Sequence, residues 1–499
     1  MQNLSLPETL KGVHFHFVGI KGTGMAALVE IFFKNGAVIT GSDVSERFYT
    51  DEILEKLGIK PLPFDKKNIT DSVQYVVYSS AYKLNENPDL IAAQKKGVPC
   101  LLYTQALGLY SEKAYSCGIC GVHGKTSTTG LAGTVLKELD LPVQILAGSV
   151  INSFGNTCTY TSENCAASNG SEKHYFVAET CEYQRHFMSF FPQKIVLTSV
   201  EPDHQDYYPT YEDIRSAFAD YICRLPKNGQ LIYCADDAGA VETAGIAKEK
   251  RPDIILVPYG ENAEGDYNLK FEKVSSEKNN FSIKLLGSLF LKVPGKHEVR
   301  DAAAAVALCC ELLKTSGKNP IDYIESIKRG LENFSGGRRR SELVGKGITE
   351  NGNSVVVIDD YGHHPTAVKT TLEGFREFYG GRKIIVDFMS HTYSRTQALL
   401  KDFAAAFSSA DEVVLHKIYS SARENPCDFK ITGKTLYEET LKNHKNVHYF
   451  EEILDSKDFV LSELNKPLDK SKYPDGYLFV TMGAGDNWKL GKAILEHLK

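Results

Sequence analysis

Three successive cycles of strand and helix, with Gly-rich turns where strands run into helices, predict an α/β chain of three consecutive domains on parallel sheets. The length agrees, because 499 residues exceed one ordinary domain and suffice for two or three with cores of their own. The first cycle opens with the strand VHFHFVG (13–19), a Gly-rich turn and the helical run MAALVEIFFKNG (25–36). AVITGSD (37–43), a helix ending near Gly58 and VQYVVYSS (73–80) continue it, predicting a Rossmann-like sheet over residues 1–112. A second cycle starts at YSCGICGVHGKTSTT (115–129) and runs to residue 335, with a polar stretch at 161–173 expected as a surface loop. The third, residues 336–499, carries NSVVVIDDYG (353–362), KIIVDFM (383–389), EVVLHKI (412–418) and YLFVTMGAG (477–485), and is again expected to be Rossmann-like.

Composition narrows the function. The net charge of −6 provides no basic field for nucleic acid. No apolar run approaches the roughly 18 residues that cross a bilayer. The start, MQNLSLPETLKG, lacks the charged and apolar regions of a signal peptide, so a cytoplasmic protein is expected. The eleven cysteines are scattered, and Cys117 and Cys120 form a lone CxxC without a second pair. Two small residues at the end of a buried strand are expected there.

Two glycine loops carry chemistry. Gly19-Ile-Lys-Gly-Thr-Gly24 joins a strand to a helix, so backbone amides can approach phosphate oxygens. Asp43 closes the next strand, where a carboxylate can accept from ribose hydroxyls. The spacing GxxGxG is not the GxGxxG of dinucleotide enzymes, which favours a nucleotide or nucleotide-sugar over NAD. Gly121-Val-His-Gly124-Lys125-Thr126-Ser127 is the stronger signal, because it lies between a strand and a helix as a phosphate loop must. Its amides cradle phosphates, Lys125 adds charge between phosphoryl groups, and Thr126 offers a hydroxyl to Mg²⁺. Ile119 occupies the first Gly position of the general pattern. Glu182, in AETCEYQRHF, and His204, in EPDHQDYY, each follow an apolar strand and complete a metal site with Thr126, with Glu179 as the alternative carboxylate.

With these motifs in place the sequence resembles the Mur ligases over essentially the whole chain. The resemblance is carried by HFVGIKGTGM (16–25), GVHGKTSTT (121–129), VEPDHQDYY (200–208), VPGKHEVRDAAAA (293–305), FSGGRRR (334–340), IDDYGHHPTAV (358–368), HTYSRT (391–396) and TMGAGD (481–486). DDYGHHP is similar to the alanine-adding branch. The resemblance implies UDP-sugar, ATPase and amino-acid domains in that order, with UDP-N-acetylmuramate and L-alanine as partners, ATP and Mg²⁺ as cofactors, and a monomer or homodimer.

The resemblance assigns the UDP-sugar to Gly19, Gly22, Thr23, Gly24, Met25, Ser42, Asp43, Ser79 and Ser80. ATP falls to the phosphate loop Gly121, Val122, His123, Gly124, Lys125, Thr126 and Ser127, with His297, Glu298, Arg340 and Asp359. The amino acid falls to Tyr361, His363, His391 and Arg395, the metal to Thr126, Glu182 and His204, and catalysis to Lys125, His204 and Arg395. Four positions depart from the family pattern. Thr392 replaces an arginine, Glu298 and Asp301 stand where asparagines are usual, and Ser341 replaces an aromatic. An ionised carboxylate only accepts hydrogen bonds, whereas an amide also donates, so adenine is expected to be held differently. Competing readings are a recycling ligase that adds a tripeptide to the same sugar, a non-catalytic nucleotide-binding regulator, and an NAD-dependent dehydrogenase built on residues 13–43.

Overall fold

The computed structural model describes residues 5–167, 174–274, 278–420 and 424–499. The first sheet comprises β1 (His14–Val18), β2 (Val38–Ser42), β3 (Tyr75–Tyr78) and β4 (Cys100–Leu102), ordered β2-β1-β3-β4 with every pair parallel. Phe15 and Phe17 share one face of β1 and are fully buried, packing on Phe32 of the helix Thr23–Lys34 with ring centroids 4.9 and 5.9 Å apart. Burying each ring stabilises by about 1.5–3 kcal/mol. His16, on the opposite face, is also fully buried and bonds Thr40 at 2.9 Å. Both faces are covered, as a parallel sheet requires.

The second sheet holds β5 (Tyr115–Cys120), β6 (Val143–Ile151), β7 (Thr157–Thr161), β8 (Tyr175–Glu179), β9 (Lys194–Leu197), β10 (Gln230–Cys234) and β11 (Ile255–Tyr259). Its order is β11-β10-β9-β5-β8-β6-β7, parallel except for the edge strand β7. Cys117 and Cys120 lie on β5, both fully buried. Three positions apart on a strand, they point to opposite faces. Burial pushes the Cys117 thiol up to about 12, and thiols on opposite faces of the sheet do not converge on one ligand or on each other. The loop expected at 161–173 is corrected in part: the helix Glu163–Ala167 occupies its start, and residues 168–173 lie outside the described residues.

Both sheets belong to one compact unit, formed by Met1–Lys270, Ser282–Leu289 and Asp301–Phe334. Within it, Glu30 of the helix Thr23–Lys34 accepts from the hydroxyl of Thr157 on β7, 2.5 Å from each carboxylate oxygen. A small sheet of β12 (Leu269–Phe271), β13 (Asn279–Ile283) and β14 (Gly287–Leu291) precedes the helix Lys296–Thr315.

The other unit is formed by Phe271–Phe281, Phe290–Arg300 and Ser335–Lys499. Its sheet contains β15 (Glu342–Ile348), β16 (Ser354–Asp360), β17 (Arg382–Phe388), β18 (Glu412–Leu415), β19 (Val447–Tyr449) and β20 (Gly476–Met482). The order is β15-β16-β20-β17-β18-β19, with only β15 antiparallel. Val356, Ile358, Val386 and Val480 pack one face, and Val355, Val357, Ile385 and Phe479 the other. That double burial explains the unbroken apolar runs read from the sequence. Among the described residues no helix is long and apolar enough to cross a membrane.

Glu30 is 4% exposed, and burial raises its carboxyl pKa against the opposing pulls of Thr157 and Lys34. A raised acid favours folding fully only below its ordinary value and loses that contribution as pH rises through the folded value. Glu30→Gln is therefore expected to raise the thermal midpoint relative to the parent chain at about pH 8 and much less at about pH 4. Equal differences at both pH values would show that Glu30 ionises as freely as in water.

Candidate active site

The ends of β9, β5 and β8 lie side by side, with Cys120 opposite Leu197 and Ile119 opposite Glu179. The phosphate loop, the Glu182 segment and the His204 segment leave these three neighbours in the same direction. Gly124 takes φ 79° and caps the helix Lys125–Glu138, and a Cβ there would lie 2.3 Å from Asp301 Oδ1. Only glycine fits. The Lys125 ammonium folds back on the loop, donating to Gly121 O at 2.5 Å and Val122 O at 3.3 Å, with Glu182 Oε2 at 3.0 Å. Burial pulls Lys125 toward neutrality, but the Glu182 charge outweighs it and its pKa is raised. Burial likewise pushes Glu182 up, yet the Lys125 charge and the His204 hydrogen bond hold it below the usual carboxylate range. His204 Nε2 is 3.5 Å from Glu182 Oε1, its ring packed on Tyr183 with centroids 4.8 Å apart.

The expected metal trio is divided between two carboxylates. Glu182 contacts both Lys125 and His204, whereas the Thr126 hydroxyl donates to Glu179 Oε2 at 2.9 Å. Glu179 also accepts from Gly148 N at 2.7 Å. The donor chemistry, a hydroxyl, two carboxylates and an imidazole, suits Mg²⁺, but among the described residues Glu179, Glu182 and His204 do not all lie within ligand distance of one another. Val122 N donates to Ser199 O at 3.0 Å and His123 N to Ser199 Oγ at 2.9 Å, pinning the loop to the segment after β9. The His123 imidazole pairs with Glu201, and Ser127 is buried.

In the first sheet, Gly19 takes φ 82°, and a Cβ would lie 2.6 Å from the Tyr82 ring. Asp43 binds this loop, accepting from Lys21 N at 2.7 Å, Val44 N at 2.8 Å and Tyr82 OH at 3.2 Å. Gly22 and Thr23 begin the following helix with Gly24, and the Thr23 hydroxyl meets Tyr49 OH at 2.5 Å. Met25 is buried, Ser79 half-buried and Ser80 exposed. Ser42 does not reach the loop surface: it is fully buried and donates to Asp89 at 3.2 Å. A cavity of about 740 Å³ lies beside Lys21, Asp43, Asp51, Leu62 and Pro63, large enough for a small polar ligand with an apolar ring.

In the last sheet, the Asp359 carboxylate is held by an arginine that the sequence did not single out. Arg339 takes it, donating from Nε at 2.7 Å and from its other nitrogens to Gly485 O at 3.1 Å and Gly483 O at 2.5 Å. Its planar fork serves the carboxylate and two carbonyls at once. Arg340 lies over the Tyr361 ring at 5.3 Å. Burial raises the Asp359 carboxyl, opposed by Arg339 and Thr481. Tyr361, His363 and His391 form a row, with centroids 5.1 and 6.2 Å apart. Arg395 is buried on the short helix Tyr393–Ala398. Thr392, at φ 67°, provides no side-chain cap; Glu424 accepts from Tyr393 N at 2.8 Å and Ser394 N at 3.2 Å. His297 is half-buried and Glu298 buried, both in the first turn of the helix Lys296–Thr315. His364 is the N-cap of the helix Pro365–Phe378, but its side chain makes no capping bond.

Sequence reasoning missed Arg339, indistinguishable from its neighbours in a run of arginines, and Glu424, whose loop carries no motif. Glu179 was visible as the first carboxylate at the end of an apolar strand.

Three family models match the chain: "Mur ligase family, catalytic domain" over residues 14–115, "Mur ligase middle domain" over 119–309 and "Mur ligase, glutamate ligase domain" over 339–467. A protein of Treponema pallidum named UDP-N-acetylmuramate–L-alanine ligase is 45% identical over 502 aligned residues, covering 100% of this chain and 99% of the relative. The protein of the same name from Borreliella burgdorferi is 38% identical, covering 95% and 97%. Among solved structures, the UDP-N-acetylmuramate-alanine ligase of Thermotoga maritima shares the fold with a TM-score of 0.73 at 24% identity, covering 97% of this chain and 98% of the other. A murein peptide ligase of Psychrobacter arcticus gives 0.64 at 21%, with the same coverage of both chains.

The depressed Glu182 carboxyl contributes stability above its ordinary value and loses it as pH falls through the folded value. Glu182→Gln would leave Lys125 as an uncompensated buried cation, expected to cost about 3 kcal/mol near neutrality. Chemical unfolding should show that cost shrinking toward acid, and a pH-independent difference would mean the two groups are not coupled.

Proposed function

The chain belongs to the Mur ligase family, and we propose that it joins L-alanine to UDP-N-acetylmuramate in peptidoglycan precursor synthesis, driven by ATP. The observation that carries this reading is the full-length similarity to proteins of that name; the Lys125–Glu182–His204 group, centred on the buried Glu182, supports it.

A carboxylate is a poor electrophile. An oxygen of the lactyl carboxylate attacks the γ-phosphorus of ATP, the bond to the β-phosphate oxygen breaks, and ADP leaves. The alanine amine then attacks the acyl-phosphate carbonyl, the tetrahedral adduct collapses, and inorganic phosphate departs.

In the first step two anions meet. Lys125, kept protonated by Glu182, is placed to turn from that carboxylate to phosphoryl oxygens. Thr126, Glu182 and His204 would hold Mg²⁺, with Glu179 orienting the Thr126 hydroxyl. Mg²⁺, when bound, would draw off charge from the phosphoryl group. The residue 19–25 loop, Asp43 and the adjoining cavity take the UDP-sugar. Arg340, Asp359, His297 and Glu298 are assigned to ATP. Tyr361, His363 and His391 line the amino-acid site, where Arg395 pairs with the alanine carboxylate. The reaction belongs in the cytoplasm, where its nucleotides are found.

Phosphate release tests this directly, measured with ATP, UDP-N-acetylmuramate and one amine at a time. Alanine should support it best, glycine and serine within roughly 10–200-fold, since one methyl or hydroxyl in a pocket discriminates only weakly. Release with a tripeptide and not with alanine would replace this reading by the recycling one. Release with no amine at all would overturn the reading of a ligase.

The Arg395 assignment has its own measurement. A charge-assisted hydrogen bond contributes about 1.5–3 kcal/mol. Arg395→Ala is expected to raise the alanine KM by roughly tenfold to a hundredfold with the ATP value little changed. An unaltered alanine KM would move the carboxylate site elsewhere.

A further inference from the structure

Two oppositely charged side chains are fully buried beneath the amino-acid segment, and the reaction as derived uses neither. Asp387 lies on β17, one residue before its end, and His416 directly follows β18. Both have no exposed surface, and His416 Nε2 is 2.5 Å from Asp387 Oδ2. The other ring nitrogen, Nδ1, is 3.0 Å from Phe450 O. Both ring partners are acceptors, so both nitrogens donate and the ring is an imidazolium. Its pKa is raised, the Asp387 charge and hydrogen bond outweighing burial. Asn487, equally buried, donates to Asp387 Oδ1 and Asp387 O at 3.2 Å and to Met482 O at 2.7 Å. One cluster thus ties the ends of β18, β17 and β20, adjacent strands whose interior is otherwise mainly apolar.

The amino-acid segment leaves the sheet at this cluster. Beyond β17 the chain runs through Met389 and Ser390 to His391; beyond β18 it runs from His416 to Tyr419. The two extensions stay paired: Tyr419 N donates to Ser390 O at 2.9 Å and Thr392 N to Tyr419 O at 3.1 Å. Met389 N donates to Met482 O, the carbonyl that also accepts from Asn487. A shift at Asp387 or His416 would therefore move His391 and the start of the Arg395 helix together. An ion pair is a costly way to fill a core, since apolar residues of similar volume often stabilise as well or better. What the pair adds is direction, because a carboxylate, an imidazolium and an amide accept only one mutual arrangement.

We propose that Asp387, His416 and Asn487 form a positioning network that sets the geometry of residues 391–395 for the incoming amino acid. This rests on the reading of that segment as the acceptor site.

The test separates fixing from mere stabilising. Asp387→Leu and His416→Leu, made singly, should each lower the melting temperature by leaving a buried charge alone. Asp387→Leu combined with His416→Leu should restore it, yet leave the alanine KM raised by roughly tenfold, with the ATP KM and the kcat at saturating alanine within about twofold of the parent. A restored melting temperature with a parental alanine KM would overturn the proposal, as would a fall in kcat with KM unchanged. Asn487→Ala, which leaves the ion pair in place, should raise the same KM by a smaller factor, and no change there would also count against the network. Arg395→Ala measured alongside keeps the two ideas apart. If that variant leaves the alanine KM untouched, the acceptor assignment fails; if it raises the KM and the network variants do not, only the network fails.

Discussion

The adjacency of β9, β5 and β8 is the constraint on which the candidate catalytic centre depends. Parallel neighbours end at the same edge, so loops distant in sequence leave side by side. Lys125, Glu182 and His204 span about 80 residues of chain, yet one carboxylate contacts the other two. Charge then locks what topology assembled. Glu182 is nearly fully buried and would be costly to ionise alone, but Lys125 and His204 keep it charged, and it keeps Lys125 protonated.

Backbone strain follows the same map. Among the described residues nine non-glycine residues have positive φ. Asp140, Asn156, Asn228 and His204 belong to types that tolerate it. The other five, Gln184, Arg185, Arg339, Ser341 and Thr392, all lie, like His204, in segments that carry candidate site residues. Each such conformation costs of order 1–3 kcal/mol and persists only where the surroundings dictate it. The ties are visible. Arg185 is anchored to Asp220 at 2.7 Å, Arg339 holds Asp359, Ser341 N donates to Asp360 at 2.7 Å, and Glu424 holds the amides after Thr392.

Those ties also give physical content to positions where the sequence resemblance leads one to expect another residue. Ser341 bonds the buried Asp360 with its amide at 2.7 Å and with its hydroxyl at 3.4 Å, the second a contact that an aromatic side chain could not make. Thr392 begins a helix of six residues that cannot cap itself, and Glu424 supplies the carboxylate. Asp301 lies against the Gly124 backbone, placing negative charge where the helix Lys125–Glu138 presents its positive end. That contact is local to the phosphate loop, so the acid at 301 shapes the loop itself.

The sequence determined the periodicities and the local turn chemistry. Apolar runs fixed the buried strands, and glycines at 19, 22, 24, 121 and 124 fixed where backbone could turn tightly between strand and helix. The identity of the main charged groups was legible too, because Lys125, Glu182 and His204 follow apolar strands within recognisable motifs. Pairing was decided only by tertiary structure. Thr126 faces Glu179 and not Glu182, because β8 places its last residue opposite the strand that feeds the phosphate loop. Asp359 takes Arg339 from a run of identical side chains, because Arg339 alone is turned by φ 57° beneath the glycine carbonyls at 483 and 485. Ser42 points into the core, where Asp89 on the helix Pro88–Lys95 accepts from its hydroxyl. Residue type sets what a group can do, but which partner it meets depends on strand order and register, which no local pattern encodes.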